Sequence, residues 1–260
     1  MLVKKSHNDI LVELIKASFG GDRSEAGRYA ANSRWQGHAK GKKTEKPFNF
    51  KTVAKRINDA TASIRAKGIK IQHLKTNEQG FDWNLKVQQG WAQKTFERIR
   101  EAQYSDPKWR RDKADYLTTY QEDDSREPLP DKFRLGSLMI EKALSIHSKA
   151  DGVFVIGETE IVAGAASYRL FKTHKQGPVV VFDFAGSHGV VEGVGSALFG
   201  KIVEVAANNR AEIVLGSLKG AVSFWEQQGF KNDGLREGTD TSNMRLTREK
   251  VKELAEMLNG

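Results

Sequence analysis

Two glycines, Gly193 and Gly195, stand where an apolar run, GPVVVFDFAGS (177–187), gives way to helical spacing that begins at Val194. Lacking side chains, both let a ligand come close to the main chain. The first amides of a helix have no intrahelical acceptor, and the aligned peptide dipoles put partial positive charge at that end. A strand, a glycine turn and a helix N-terminus together make a place for a pyrophosphate. The same glycines would also serve a tight turn with no ligand, so the pair alone leaves both readings open.

A second chemistry lies near the N-terminus. Residues 1–75 hold 17 Lys/Arg and 6 Asp/Glu, residues 76–130 hold 9 and 11, and residues 131–260 hold 16 of each. The net charge of +9 therefore belongs to the N-terminal segment. There Arg23, Arg28, Arg34, Lys40, Lys42 and Lys43 are interleaved with Tyr29 and Trp35. Cations neutralise phosphates and aromatic rings stack on bases, so this segment suits nucleic acid or another acidic partner. A solvated basic arm with no specific partner is the competing reading.

The elements that must position these groups fall into three stretches. Residues 1–50 read as a basic, partly flexible arm. Residues 51–129 read as a helical module, with Val53, Ile57, Ala60 and Ile64 on one helical face. Its second helix covers about 82–103, with Asp82 or Asn84 as N-cap. The acidic, proline-bearing QEDDSREPLP (121–130) marks a boundary. From 130 to 260 the order is helix (138–148), strand (153–158), strand (160–171), strand (177–187), helix (194–208), strand (212–218), helix (221–228), strand (243–247), helix (248–258). The whole reads as α/β (α+β), a mixed central sheet flanked by helices and preceded by a mostly helical basic region.

The segment Val190-Val191-Glu192-Gly193-Val194-Gly195, followed by Ser196-Ala197-Leu198, resembles the coenzyme motif Gln/Arg-x-x-Gly-x-Gly/Ala of the GNAT (Gcn5-related N-acetyltransferase) superfamily. Ala221-Val222-Ser223-Phe224-Trp225-Glu226-Gln227-Gln228-Gly229-Phe230 is similar to the family's Ala-x-x-Phe-Tyr-x-x-x-Gly-Phe segment. The resemblance covers about 115 residues of the C-terminal half and implies a GNAT-like sheet. It also implies acetyl-CoA as cosubstrate, held by Phe184, Ala185, Val190, Val191, Gly193, Val194, Gly195, Ser196 and Trp225. The chemistry implied is direct acyl transfer to a primary amine, with a base taking the amine proton and a backbone amide holding the oxyanion. Asp183 and His188 are the candidate bases, and Tyr168 and His174 candidate linings of the acceptor cleft. Four positions depart from the family pattern. Val190 replaces Gln/Arg, Glu192 sets a carboxylate beside a phosphate site, Leu218 replaces a frequent Asn, and Trp225 replaces the tyrosine that often protonates the leaving thiolate. An indole N–H cannot act as that acid.

Two functions follow as expectations. One is an acetyl-CoA-dependent N-acetyltransferase. The other is a catalytically silent GNAT-fold binding or structural protein that works through its basic segment. The string RSEAGRYAANSRW (23–35) is similar to Ala-Ala-x-x-Arg-Trp segments of some phage-encoded and small basic bacterial proteins, which implies a phage-encoded, even virion-associated, protein. With no cysteine there are no disulfides or thiolate metal sites, and no metal is expected. No apolar run reaches the length of a membrane span and no secretory signal is evident, so a soluble cytoplasmic protein is expected. Homodimerisation is common in the family, and a homodimer is one state the resemblance allows.

Overall fold

The computed structural model describes residues 48–105, 131–145, 150–172, 177–189, 191–218, 221–235 and 241–260. The elements are α1 (Phe50–Ala66), β1 (Lys70–Lys75), α2 (Phe81–Ser105), α3 (Asp131–Ala143), β2 (Gly152–Glu158), β3 (Ile161–Phe171) and β4 (Val179–Ser187), followed by α4 (Val194–Asn208), β5 (Glu212–Leu218), α5 (Val222–Glu226), β6 (Lys231–Leu235), β7 (Thr241–Leu246) and α6 (Arg248–Asn259). The seven strands form one sheet in the order β1-β2-β3-β4-β5-β7-β6. Only β4 and β5 pair in parallel; every other neighbour is antiparallel. The mixed sheet flanked by helices is therefore present.

Each face of the sheet carries its own core. On one side Phe50, Val53, Ile57 and Ile64 of α1, Phe199 and Ile202 of α4, and Val251 and Leu254 of α6 pack with Phe154, Val180, Phe182 and Ile213. On the other, Leu85 and Ala92 of α2 and Ile140 of α3 pack with Val153, Val155 and Val162. Ile64 and Ile140 are both fully buried, each contributing about 2 kcal/mol of apolar burial.

Helix α1 starts because Asn49 Oδ1 accepts from the Lys51 N–H (3.0 Å) and the Thr52 N–H (3.4 Å). It stops at Gly68, whose φ of +75° ends it in the left-handed region. Its apolar stripe then lies on α4 and α6. The boundary expected at 129/130 does not divide the sheet. β1, which sequence periodicity leaves unassigned, pairs with β2 from Lys70↔Gly157 to Lys75↔Gly152. β1 thus covers an edge that β2 would otherwise expose, and Ile57 and Ile64 of α1 and Leu85 of α2 enter the two cores shared with the C-terminal half. The N-cap expected at Asp82 or Asn84 is also corrected. α2 already includes both, and the Asn84 N–H donates to the Gly80 carbonyl at 2.9 Å.

Candidate active site

The chemistry-bearing segments meet where β4 and β5 part. Their parallel pairing runs from Val179↔Glu212 to Phe182↔Leu215 and ends there, although both strands continue. The cause lies in β4. On its β3 side the register slips between Ser167↔Phe184 and Tyr168↔Phe182, so Asp183 is a bulged residue. A bulge bends its strand and increases its twist, turning residues 184–187 away from β5. Past this point each strand pairs only on its outer side, β4 with β3 and β5 with β7. The inner edges keep main-chain groups that can hydrogen-bond an extended ligand.

Glycine contacts hold β4 in this path. A Cβ on Gly186 would lie 2.5 Å from the Gly136 carbonyl oxygen of α3, and one on Gly136 would overlap the Ser187 carbonyl oxygen. The far half of β4 is therefore packed main chain to main chain against α3, an approach only glycines allow.

Helix α4 begins at the mouth of this opening. Gly193 is its N-cap at φ +86°, with no side-chain cap, and its carbonyl accepts from the Ala197 N–H at 3.0 Å. The amides of Val194, Gly195 and Ser196 precede the first intrahelical bond and point out of the helix end. The two glycines have different reasons to be there. At Gly193 the positive φ alone requires glycine, and a Cβ would also lie 2.7 Å from the Ala60 Cβ of α1. Gly195 is exposed, has no positive φ, and its nearest neighbour to a Cβ would be Phe224 Cζ at 3.8 Å. Neither conformation nor packing asks for glycine at 195, where alanine is the better helix former.

The short helix α5 closes the opening from the β5 side. Trp225 packs edge-on against Phe182 of β4 at 5.4 Å between ring centres, and against Phe199, Phe224 and Phe230 at 6.1, 4.9 and 5.4 Å. Thus residues 182–185, 193–196 and 224–225 come together from three elements. Val191 and Val194 belong to the core, and Ser196 is also buried, so their main chain rather than their side chains faces the opening. Phe184 and Ala185 lie on the diverging half of β4. Val190 falls outside the described residues, as do His174 and Arg23, Arg28, Arg34, Trp35, Lys40, Lys42 and Lys43.

Neither expected base stands free. Asp183 is bound by Arg169 in a two-pronged pair, with Arg169 Nε donating to Oδ2 at 2.8 Å and Nη2 to Oδ1 at 2.5 Å. The pair raises the Arg169 pKa through that hydrogen bond. Each carboxylate oxygen thereby accepts from the guanidinium, so Asp183 stands in this structure as an ion-pair partner. His188 is 1% exposed and lies on the α2/α3 side of the sheet. Its Nδ1 meets Ser137 Oγ at 2.9 Å, its ring stacks on Phe96 at 6.2 Å, and its main-chain N–H donates to the Ala163 carbonyl. Nε2 is buried towards the Ala92 carbonyl without a well-formed hydrogen bond. Burial pushes the imidazole pKa down to about 4. His188 is a neutral internal strut, out of reach of a substrate amine. Tyr168 is also elsewhere than expected, in a cavity beside His73.

Sequence reasoning missed two contributors to this site, Phe224 over Gly195 and Ala60 against Gly193. The signal for the second was present. Ala60 is the small residue between Ile57 and Ile64 on the buried stripe, leaving room for a main-chain turn.

No family model and no curated protein matches this chain. Several solved structures are similar to it, three of which follow. Naa50 of Arabidopsis thaliana, in complex with the bisubstrate analogue CoA-Ac-MVNAL, is 18% identical over 52% of this chain and 93% of its own, with a TM-score of 0.33. An N-acetyltransferase from Staphylococcus aureus Mu50 is 16% identical over 68% and 94%, with a TM-score of 0.33. A histone acetyltransferase HPA2 and related acetyltransferase from Corynebacterium glutamicum is 16% identical over 67% and 93%, with a TM-score of 0.34. At these values the likenesses decide nothing about chemistry.

Proposed function

We propose that this chain is a GNAT-fold acyltransferase that uses acetyl-CoA to acetylate a primary amine. The observation that carries the reading is Gly195. It is an exposed glycine in the first turn of α4, at the mouth of the β4/β5 opening, with no packing or conformational reason to be glycine. A ligand that must reach the first-turn amides supplies the missing reason. The amides of Val194, Gly195 and Ser196 would take the pyrophosphate, and the free inner edge of β4 at Phe184 and Ala185 the amide-bearing arm. Bound there, the coenzyme would supply a thioester-activated acetyl group. The chain's part is to align that group with an amine in the opening and to offer a main-chain N–H to developing negative charge. Trp225 gives the opening an apolar wall and no acid.

A second reading has an observation of its own. With Asp183 held by Arg169 and His188 buried, neither expected base is available to the amine. A catalytically silent coenzyme-binding or partner-binding protein fits that fact. Its basic residues before 75 would then engage nucleic acid or an acidic partner.

Isothermal titration of acetyl-CoA into the full chain separates the cases, with Gly195→Trp as control. Micromolar binding that the variant loses supports the site. Thiol release in the presence of a panel of amines then supports turnover, and binding without release supports the silent reading. No binding to the parent protein sinks both coenzyme readings.

A further inference from the structure

On the α4 side of the sheet, away from the opening, β1, β2, β3 and the second half of α4 line a half-open cavity of about 400 Å³. Its lining on α4 begins at Lys201 and ends at Asn208, with Asn209 just beyond, so it lies roughly 10–20 Å along the helix from Gly195. A volume of that size suits a small organic molecule.

The floor is a prearranged aromatic and polar group. His73 of β1 stacks on Phe154 of β2 at 4.1 Å with planes 23° apart, and its Nε2 lies 3.0 Å from the Tyr168 hydroxyl of β3. That hydrogen bond sits directly over Gly152, where a Cβ would be 2.7 Å from the hydroxyl and 2.9 Å from Nε2. Burial lowers the His73 pKa and raises that of Tyr168 to about 12, so at neutral pH both are uncharged. Nδ1 of His73 has no hydrogen-bond partner among the described residues. With one ring face on Phe154, the half-buried imidazole has its other face for the cavity.

The lining carries two lysines against one carboxylate. These are Lys75 and Lys201, with Glu204 the only lining carboxylate among the described residues. Lys201 holds both Glu204 oxygens, at 2.6 and 2.7 Å, and is the more buried partner, 21% exposed against 47%. Lys75 reaches Glu78 only at 3.9 Å. Glu78 lies outside the lining.

From this geometry we infer that the cavity is a second ligand site for a small planar carboxylate, its charge between Lys75 and Lys201 and its ring against His73. The site does not depend on the coenzyme reading. Benzoate is the probe, titrated into the full chain while the His73 imidazole signals are followed by NMR. Benzylamine, with the same ring and opposite charge, and acetate, with no ring, are the comparators. The expected result is a saturable shift with a Kd of about 1 mM or tighter, and at least about tenfold weaker binding of both comparators. Lys201→Gln should weaken benzoate by about tenfold, and Val205→Trp, which fills the cavity, should abolish the shift. Unchanged His188 signals, from the opposite face of the sheet, check that the variants are folded. No saturable shift in the parent protein, or equal shifts with benzylamine, would overturn the inference.

Discussion

Replacing His188 by glutamine tests whether this residue is an internal strut or a base. Burial holds the folded imidazole pKa down at about 4, below its ordinary 6.5. Between those values the unfolded chain takes up a proton that the folded chain refuses, so stability falls as pH falls. The contribution is intact above pH 6.5 and is lost progressively towards pH 4. Its full size is roughly 3 kcal/mol, and about 2 kcal/mol is already lost at pH 5. Glutamine does not titrate. The difference in unfolding free energy between parent and variant should therefore be constant above neutrality and should shift by about 2 kcal/mol, against the parent, on going to pH 5. His73 titrates in both proteins, so its contribution cancels in the difference. Urea unfolding at a series of pH values, followed by far-UV circular dichroism, gives that difference directly. A difference that stays flat from pH 7.5 to 4.5, or an NMR titration placing His188 near its ordinary value, would refute the argument and return the residue to the list of bases.

Two further substitutions probe the packing that opens the site. Gly186→Ala places a methyl 2.5 Å from the Gly136 carbonyl and should cost about 1–3 kcal/mol or more, read as a lower thermal midpoint, because main chain cannot move aside as a side chain can. Gly200→Ala meets the Ile57 Cγ2 at 2.5 Å; measured with Ile57→Ala in a double-mutant cycle, the two losses should be clearly less than additive, and strict additivity would deny that α1 is seated on α4 through this contact.

What could be read from the sequence was what local periodicity and turn chemistry fix. Helix α4 and strand β5 occupy the expected residues 194–208 and 212–218, since an uninterrupted apolar pattern with clear ends leaves few alternatives. Gly229, at φ +94°, ends the turn after α5 as a left-handed glycine, directly after the helix expected at 221–228. Strands β1 (KIQHLK) and β6 (KNDGL) were not legible, because neither carries an apolar run of its own. They are strands because β2 and β7 offer edges to pair with. The glycine turn at 193–195 was visible, but that Gly193 is held by Ala60 while Gly195 is left open depends on a helix more than 130 residues earlier in the chain. Asp183, within a strand, and His188, at its end, were both candidate bases. Tertiary structure separated them from that role by different means: a bulge and an arginine from the neighbouring strand for one, burial under two distant helices for the other. Sequence determines which groups exist and the local geometry they prefer. Availability to a substrate depends on solvent and on partners brought from far along the chain, and only the packed fold decides those.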